Sequence, residues 1–328
     1  MKNPQTTVVM CSDESYIIPT YIALFSLLKN YRGTNELAVF ILTRNNENFS
    51  KYMSLFQMLE GEFAFLQFHI LSVGACFDEV KTNSAYISNA TMYRLLIPQI
   101  VEVEKCVYLD SDLIVEEDIS CLFDIDISGY CVAGVKDLTI AKNIQTRHSR
   151  FLGIPTTDYI QAGVLLMNLN EIRRLELDKE LVFQGRNEDY PYNDQDILNR
   201  VFWGRIKTID LRFNVVTVNI NRNDNGLVKL YGMEEVNKAN EKPVIIHYAG
   251  YRKPWTYKHM YGAKKWWKYV KMQNKQIAAE YISPFLDKQN APLSDQIKEK
   301  IESMVKYLGL YPIFNKVIKS RKVRNKKY

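Results

Sequence analysis

The sequence predicts an α/β fold: a mainly parallel central sheet flanked by helices, followed by a helical, basic C-terminal tail. Three observations carry this expectation. Short apolar runs alternate with helical patterns in the manner of repeated βα units. One run, Gln161-Ala162-Gly163-Val164-Leu165-Leu166-Met167-Asn168-Leu169, is apolar without alternation, as in a strand buried on both faces. Charge is unevenly spread: Lys264 to Tyr328 holds sixteen Lys and Arg against five Asp and Glu, so this stretch carries +11 and the preceding residues −5 of the net +6.

Taken in order, Thr7–Cys11 reads as a first strand and Ser12-Asp13-Glu14-Ser15-Tyr16 as the loop after it. Pro19 opens a helix through Leu28, where the first turn tolerates proline. Leu37–Leu42 is a second strand, Phe49–Leu59 a helix by its apolar spacing, and Phe63–Leu71 a third strand. Asp78–Ser88 is polar and aperiodic, and a mobile loop is expected there. Ala90–Ile100 is helical and carries Arg94, with Pro98 ending its regular part. Cys106–Leu109 and Cys131–Val135 are strands, Ile160–Leu169 is the doubly buried one, and Glu171–Gln184 is a surface helix. Asn193-Asp194-Gln195-Asp196 precedes Ile197–Phe202 as a capped helix start with acids in its first turn. Pro243–Gly250 contains a strand ending near His247, followed by the basic, aromatic Tyr251-Arg252-Lys253-Pro254-Trp255. The expected division is a catalytic domain over 1–270 and a C-terminal extension over 271–328.

The 328 residues are 47% apolar and 24% charged, values of an ordinary globular protein rather than a disordered one. The polar start, Met1 to Thr7, has no apolar core of signal-peptide length. No apolar run approaches the roughly 18 residues of a membrane span. A cytoplasmic location follows as the expectation. Five cysteines without a C-x-x-C pair suggest neither a disulfide framework nor a zinc site, and most are expected to be core thiols.

Val107-Tyr108-Leu109 runs directly into Asp110-Ser111-Asp112. Side chains alternate along an extended segment, so Asp110 and Asp112 would share a face and repel unless a cation lies between them. A hard divalent ion such as Mg²⁺ or Mn²⁺ takes oxygen ligands and shares them with substrate phosphates. Aspartates also follow strands simply to start a loop, Asp194 and Asp196 also suit a helix start, and a lone strand-end histidine is commonly a hydrogen-bonded core residue. Placement favours chemistry for the first pair, because ligands collect at the carboxyl ends of strands in open α/β sheets. His247 would supply a third ligand, a donor set that suits Mn²⁺ better than Ca²⁺.

Six segments together resemble the family-8 retaining glycosyltransferases, which include bacterial lipopolysaccharide galactosyl- and glucosyltransferases and glycogenin. They are Ser12 to Tyr16, Thr91-Met92-Tyr93-Arg94-Leu95, Tyr108 to Asp112, Ala162 to Leu165, Asn193 to Asp196, and His247-Tyr248-Ala249-Gly250 with Lys253-Pro254-Trp255. The resemblance covers about residues 7 to 270. It implies the GT-A nucleotide-diphosphosugar fold, with Asp110, Asp112 and His247 holding Mn²⁺, or Mg²⁺, against the donor diphosphate. Asp13, with Ser15 and Tyr16, matches the contact to uracil or ribose, and Ser111, Gln161, Ala162 and Gly163 belong to the UDP-sugar site. Gly250 and Lys253 match the segment closing over the diphosphate, Arg94 a residue near the donor sugar, and Asp194 and Gln195 the pair beside the sugar at its reacting face. Many members carry Asn where this chain has Gln161. That amide reaches about one methylene further, which leaves the donor sugar open.

The implied reaction is transfer of a hexose, galactose or glucose, from a UDP-sugar to a glycan or glycolipid acceptor, in lipopolysaccharide, capsule or cell-surface glycan synthesis. A protein acceptor, such as an adhesin or the enzyme itself, is the alternative. The leaving UDP needs charge stabilisation, which the metal and Lys253 supply. An oxygen of Asp194 or Gln195 can stabilise the oxocarbenium-like sugar, and same-face attack is preferred because no sequence pattern fixes a nucleophile beneath the anomeric carbon. Two rivals compete. A haloacid-dehalogenase-type phosphotransferase expects its D-x-D near the amino terminus, and a non-catalytic nucleotide-sugar binder has no reason to keep Asp110, Asp112, Gln195 and His247.

In the tail, Ile297, Ile301, Met304, Val305 and Leu308 fall at helical spacing up to Gly309, and a second short helix is expected from Pro312. Lys316, Lys319, Arg321, Lys322, Arg324, Lys326 and Lys327 surround the latter. Basic plus apolar at this spacing reads as docking to an anionic membrane surface, with a packed helix and solvated terminus as the alternative. Lys264-Lys265-Trp266-Trp267-Lys268-Tyr269 fits a membrane edge or ordinary packing. No nucleic-acid module accompanies the charge.

Overall fold

The computed structural model describes residues 6–83, 87–138, 147–155, 158–220 and 225–289, together with 292, 294, 295, 297, 300, 301, 304 and 305. By its internal contacts the chain divides into two compact units, Met1–Ala249 and Gly250–Tyr328.

The first unit holds the ten strands found among the described residues: β1 (Thr6–Cys11), β2 (Leu37–Thr43), β3 (Leu66–Ser72), β4 (Lys105–Leu109), β5 (Leu113–Val115), β6 (Val132–Lys136), β7 (Ile160–Asn168), β8 (Ile206–Thr208), β9 (Val215–Val216) and β10 (Ile245–His247). Seven form one sheet in the order β3-β2-β1-β4-β7-β6-β8. Neighbours along β3-β2-β1-β4 are parallel, as are β6 and β8; β7 is antiparallel to both β4 and β6. The sheet is thus mainly parallel, as predicted, with one reversed strand near its centre. β1 is buried at every position and β7 at all but Gln161 and Asn168. Continuous apolar sequence therefore marked burial on both faces correctly, while strand direction depended on the neighbours.

A second sheet, β5-β10-β9, is small and decides the site. The chain leaves the large sheet at Leu109, passes through Asp110-Ser111-Asp112, and enters the small one at Leu113. β10 pairs antiparallel with β5, setting His247 opposite Leu113, and parallel with β9, setting His247 opposite Val216. Residues directly before β5, directly before β9 and at the end of β10 are thereby gathered together.

Several helices depart from expectation. The first runs Ile17–Asn30, so Pro19 sits third in it, still within the first-turn positions whose N–H groups lack intrahelical partners. The expected Phe49–Leu59 helix divides into Glu47–Ser50 and Met53–Glu62, and the third strand begins only at Leu66. The segment around Arg94 is a 3₁₀ stretch, Asn89–Leu96, followed by a short helix, Ile97–Ile100. Pro98 stands in the first turn of that helix and begins it rather than ending the preceding one. The surface helix divides at Glu176, whose φ of 57° is left-handed, into Leu169–Arg174 and Leu177–Asn187. Across residues 78–88 the described positions form neither helix nor strand.

In the second unit the helix Ala263–Lys271 buries Ala263, Trp266 and Tyr269. Trp266 packs 5.5 Å from Trp255 and edge-on to Trp267, which donates through Nε1 to Pro254 O at 3.0 Å. These aromatics serve packing within the unit, the more ordinary of their two readings. Of the tail helix, Ser294, Asp295, Ile297, Lys300, Ile301, Met304 and Val305 are described and helical, with Ile297, Ile301 and Met304 exposed. The second short tail helix, with Lys316, Lys319, Arg321, Lys322, Arg324, Lys326 and Lys327, lies outside the described residues. No helix among the described residues is long and apolar enough to cross a membrane. Cys11, Cys106 and Cys131 are buried, Cys76 is half-buried, Cys121 is exposed, and all five are unpaired thiols.

Candidate active site

Asp110, Asp112 and His247 converge. One ligand atom from each lies within 4.8 Å of the others; His247 Nε2 is 3.1 Å from Asp112 Oδ1 and 3.5 Å from Asp110 Oδ2. Adjacent oxygen and nitrogen ligands of one octahedral ion with bonds of about 2.1 Å stand about 3 Å apart, so the donor set fits a divalent cation. Gly163 on β7 makes room for it. A methyl group there would lie 2.2 Å from Cε1 of His247 and 2.6 Å from Oδ2 of Asp110.

Asp110 divides its two oxygens. Oδ2 faces His247, while Oδ1 accepts from the Tyr108 hydroxyl at 2.7 Å and from Arg94 Nη2 at 2.8 Å. Tyr108 and Asp110 share a face by strand alternation. Ser111, between the two acids, points the other way: its hydroxyl donates to Cys11 O at 2.8 Å and accepts from Thr20 Oγ1 at 2.8 Å. Thus the middle residue of the motif ties this turn to β1 and the first helix.

Arg94 is buried and bridges Asp110 to Asp194. Nη1 donates to Ala162 O at 2.6 Å, Nε to Thr91 O at 3.0 Å, and Nη2 also to Thr91 Oγ1 at 3.2 Å. Its guanidinium lies 4.4 Å above the Tyr108 ring. Burial alone would lower its pKa, but the carboxylates of Asp110 and Asp194 hold it above the ordinary arginine value. With these donors committed, Arg94 organises acids.

Asp194 accepts from Thr91 Oγ1 at 2.5 Å and pairs through Oδ2 with Arg94 Nε at 3.0 Å. Burial pushes its carboxyl up to about 6, against the pull of Arg94 and Thr91. Gln195 is fixed at both ends: Oε1 accepts from Ala162 N–H at 3.1 Å and Nε2 donates to Asp137 Oδ2 at 3.2 Å. Both residues open the helix Asn193–Val201, as expected, with Asp194 and Asp196 in its first turn. Asn193 supplies no side-chain cap; its φ of 45° is left-handed, and Oδ1 accepts from Asn83 N–H at 3.0 Å. Asp196 reaches back to accept from Tyr192 N–H at 2.9 Å.

Asp13 caps its own turn. Oδ1 accepts from the Ser15 N–H at 2.8 Å, the Ser15 hydroxyl at 2.6 Å and the Tyr16 N–H at 3.1 Å. Burial pushes the Tyr16 hydroxyl well above its ordinary range, reinforced by the negative charge of Asp112, Asp13 and Asp110. Gln161 Oε1 accepts from Gly163 N–H at 2.8 Å and from Asn214 Nδ2 at 2.5 Å. Gly250 and Lys253 belong to the second unit. Two participants escaped the sequence reading. Asn214 bonds His247 Nδ1 at 3.0 Å, and Asp137 holds Gln195; neither carries a local motif, and only the pairings of β9 and β6 with their neighbours bring them in.

The model of Glycosyl transferase family 8 matches residues 7–259. General stress protein A of Bacillus subtilis is 26% identical over 259 residues, covering 76% of this chain and 86% of that one. Glycosyltransferase GlyB of Streptococcus pneumoniae is 34% identical over 171 residues, 52% of this chain and 39% of that one. Among solved structures, the galactosyltransferase LgtC in complex with donor and acceptor sugar analogs superposes with a TM-score of 0.67 at 23% identity, over 84% of this chain and 99% of that one. The fold is accordingly that of the GT-A glycosyltransferases, and the phosphotransferase reading falls away. With its family model matched across the sheets that carry Asp110, Asp112 and His247, this chain belongs to glycosyltransferase family 8.

Proposed function

We propose that the protein is a retaining hexosyltransferase that uses a UDP-sugar donor and Mn²⁺, with Mg²⁺ as the substitute, over a catalytic domain of residues 1–270. The observation that carries this is the convergence of Asp110, Asp112 and His247 on one point, with Gly163 leaving the space open. Bound there, the cation would act as a Lewis acid on the leaving diphosphate. Asp110 presents one oxygen to that point because Tyr108 and Arg94 hold the other. Lys253 and Gly250 are assigned to the diphosphate, and Asp13, Ser15 and Tyr16 to the nucleoside, on the family's pattern.

Asp194 and Gln195 are assigned to the sugar's reacting face. The two bonds to Asp194 from Arg94 and Thr91 favour an electrostatic and positioning role over that of nucleophile, supporting same-face attack. Gln195 Oε1 keeps one lone pair beyond its bond to Ala162, available to a positive anomeric centre. Gln161, whose oxygen is already doubly engaged, has its Nε2 left to donate to sugar hydroxyls; Ser111 supports the turn from behind.

A glycan or glycolipid is the proposed acceptor, in bacterial surface-glycan synthesis at the cytoplasmic face. The exposed Ile297, Ile301 and Met304, with the basic sequence after them, would dock to anionic lipid. Incubation with Mn²⁺ and a panel of UDP-sugars, reading UDP release, tests the central proposal. Release with one hexose, abolished by EDTA, supports it; no release with any UDP-sugar in the presence of acceptor glycans contradicts it.

A further inference from the structure

We propose that Asn214 is a positioning residue that fixes the tautomer of His247, through a directed chain of hydrogen bonds beginning at the Gly163 backbone. This rests on the metal reading of the site. Each link forces the next. A backbone N–H can only donate, so the Gln161 atom that Gly163 N–H meets at 2.8 Å is the acceptor Oε1. The same Oε1 lies 2.5 Å from Asn214, which must therefore present its NH₂. The other end of that amide, Oδ1, then faces His247 Nδ1 at 3.0 Å and can only accept. Nδ1 consequently carries the hydrogen, and the Nε2 lone pair points at Asp112 Oδ1, 3.1 Å away, and at Asp110 Oδ2.

The alternative tautomer is excluded twice over. It would set an unprotonated Nδ1 against an amide oxygen, and it would place N–H where the cation binds. Burial raises the cost of such a mismatch: Asn214 and His247 are each 1% exposed, where no water can replace an unmade hydrogen bond. Local structure makes the chain possible. Asn214 directly precedes β9, and β9 is parallel to β10 with His247 opposite Val216, so backbone pairing places the amide beside the ring. Gln161 reaches Asn214 while its oxygen also holds the β7 backbone at Gly163. Gln161, the residue assigned to the sugar, is thus linked through Asn214 with the ligand assigned to the metal.

The test measures Mn²⁺ binding by electron paramagnetic resonance of the free ion, without donor or acceptor, on the full chain and on Asn214→Leu, Asn214→Asp, Gln161→Leu and His247→Ala. Partners that orient a metal-bound imidazole are typically worth 10-fold to 100-fold in affinity, so Asn214→Leu should weaken binding by about that factor. Asn214→Asp still accepts from Nδ1–H but sets a carboxylate oxygen against Gln161 Oε1, so it should weaken binding by less than Asn214→Leu. Gln161→Leu, which frees the Asn214 amide to turn over, should weaken binding in the same direction by less, and it keeps the test available if Asn214→Leu does not fold. Thermal unfolding in EDTA reports folding separately. Wild-type affinity in folded Asn214→Leu, or in Gln161→Leu when Asn214→Leu is unfolded, overturns the role of Asn214 alone. Unchanged binding by His247→Ala, or no binding by the wild type, overturns the metal reading with it.

Discussion

His247 Nε2 stands 3.1 Å from Asp112 Oδ1 although 135 positions separate the two residues, because β10 pairs antiparallel with β5 and sets His247 opposite Leu113. Two acids after a strand become a metal-binding geometry only through this second, three-stranded sheet.

Gly163 is the tightest point of that geometry. Gly163→Ala places a methyl group 2.2 Å from the imidazole and 2.6 Å from Asp110 Oδ2, and β7 is held from both sides by β4 and β6. The variant should fold, because an extended strand accepts alanine, yet bind Mn²⁺ at least about 100-fold more weakly, exceeding the loss for a displaced supporting group. Titration calorimetry with circular dichroism checks both parts.

The two carboxylates bridged by Arg94 should make that residue a stability determinant. Arg94→Met leaves Asp110 and Asp194 without their cation, and breaking a buried ion pair from one side typically costs about 3–5 kcal/mol. Urea unfolding at pH 7.5 in EDTA should show a loss of that size. Adding Asp194→Asn should recover part of it, since the second buried charge is then gone; strictly additive losses would mean that the bridge is not energetically real.

Asp194 gives the pH dependence. Burial raises its carboxyl from 3.8 to about 6, so the folded state holds the proton more tightly than the unfolded state does. Its stabilising contribution is complete below pH 4 and is lost as pH rises through 6. A shift of about two pH units corresponds to about 3 kcal/mol. In EDTA, the stability of wild type relative to Asp194→Asn should therefore fall by up to that amount between pH 4 and pH 7. A difference that is flat or rises with pH contradicts the assignment.

Much of the fold was legible, for physical reasons that also explain the failures. Val107-Tyr108-Leu109 announced its strand because it is an interior strand of the sheet whose side chains are buried on both faces, and the acids following it marked the carboxyl end of the sheet. Pro98 misled because proline is as compatible with the first turn of a helix as with the end of one. Arg94 was assigned a place near the sugar by the family's pattern; its bonds to Asp110, Asp194 and Ala162, from three distant segments, and to Thr91 in its own turn could not be read from sequence. Asn214 and Asp137 were invisible: each lies in a stretch with no distinguishing composition, and its significance comes from strand pairing alone.

The tail makes a separate prediction. If Ile297, Ile301, Met304 and the basic residues beyond them dock to lipid, the full chain should sediment with anionic vesicles and a chain ending at Gly309 should do so much less, with both failing at high salt as screening removes the attraction. Equal sedimentation of both chains ends the tail hypothesis without touching the active site.

The central claim is most directly tested by Asp112→Asn. The amide preserves shape and removes one anionic ligand, so the variant should unfold at nearly the wild-type midpoint in EDTA while Mn²⁺-dependent UDP release from the UDP-sugar donor falls to background. Normal turnover by the folded variant would contradict the metal site and the proposed mechanism together.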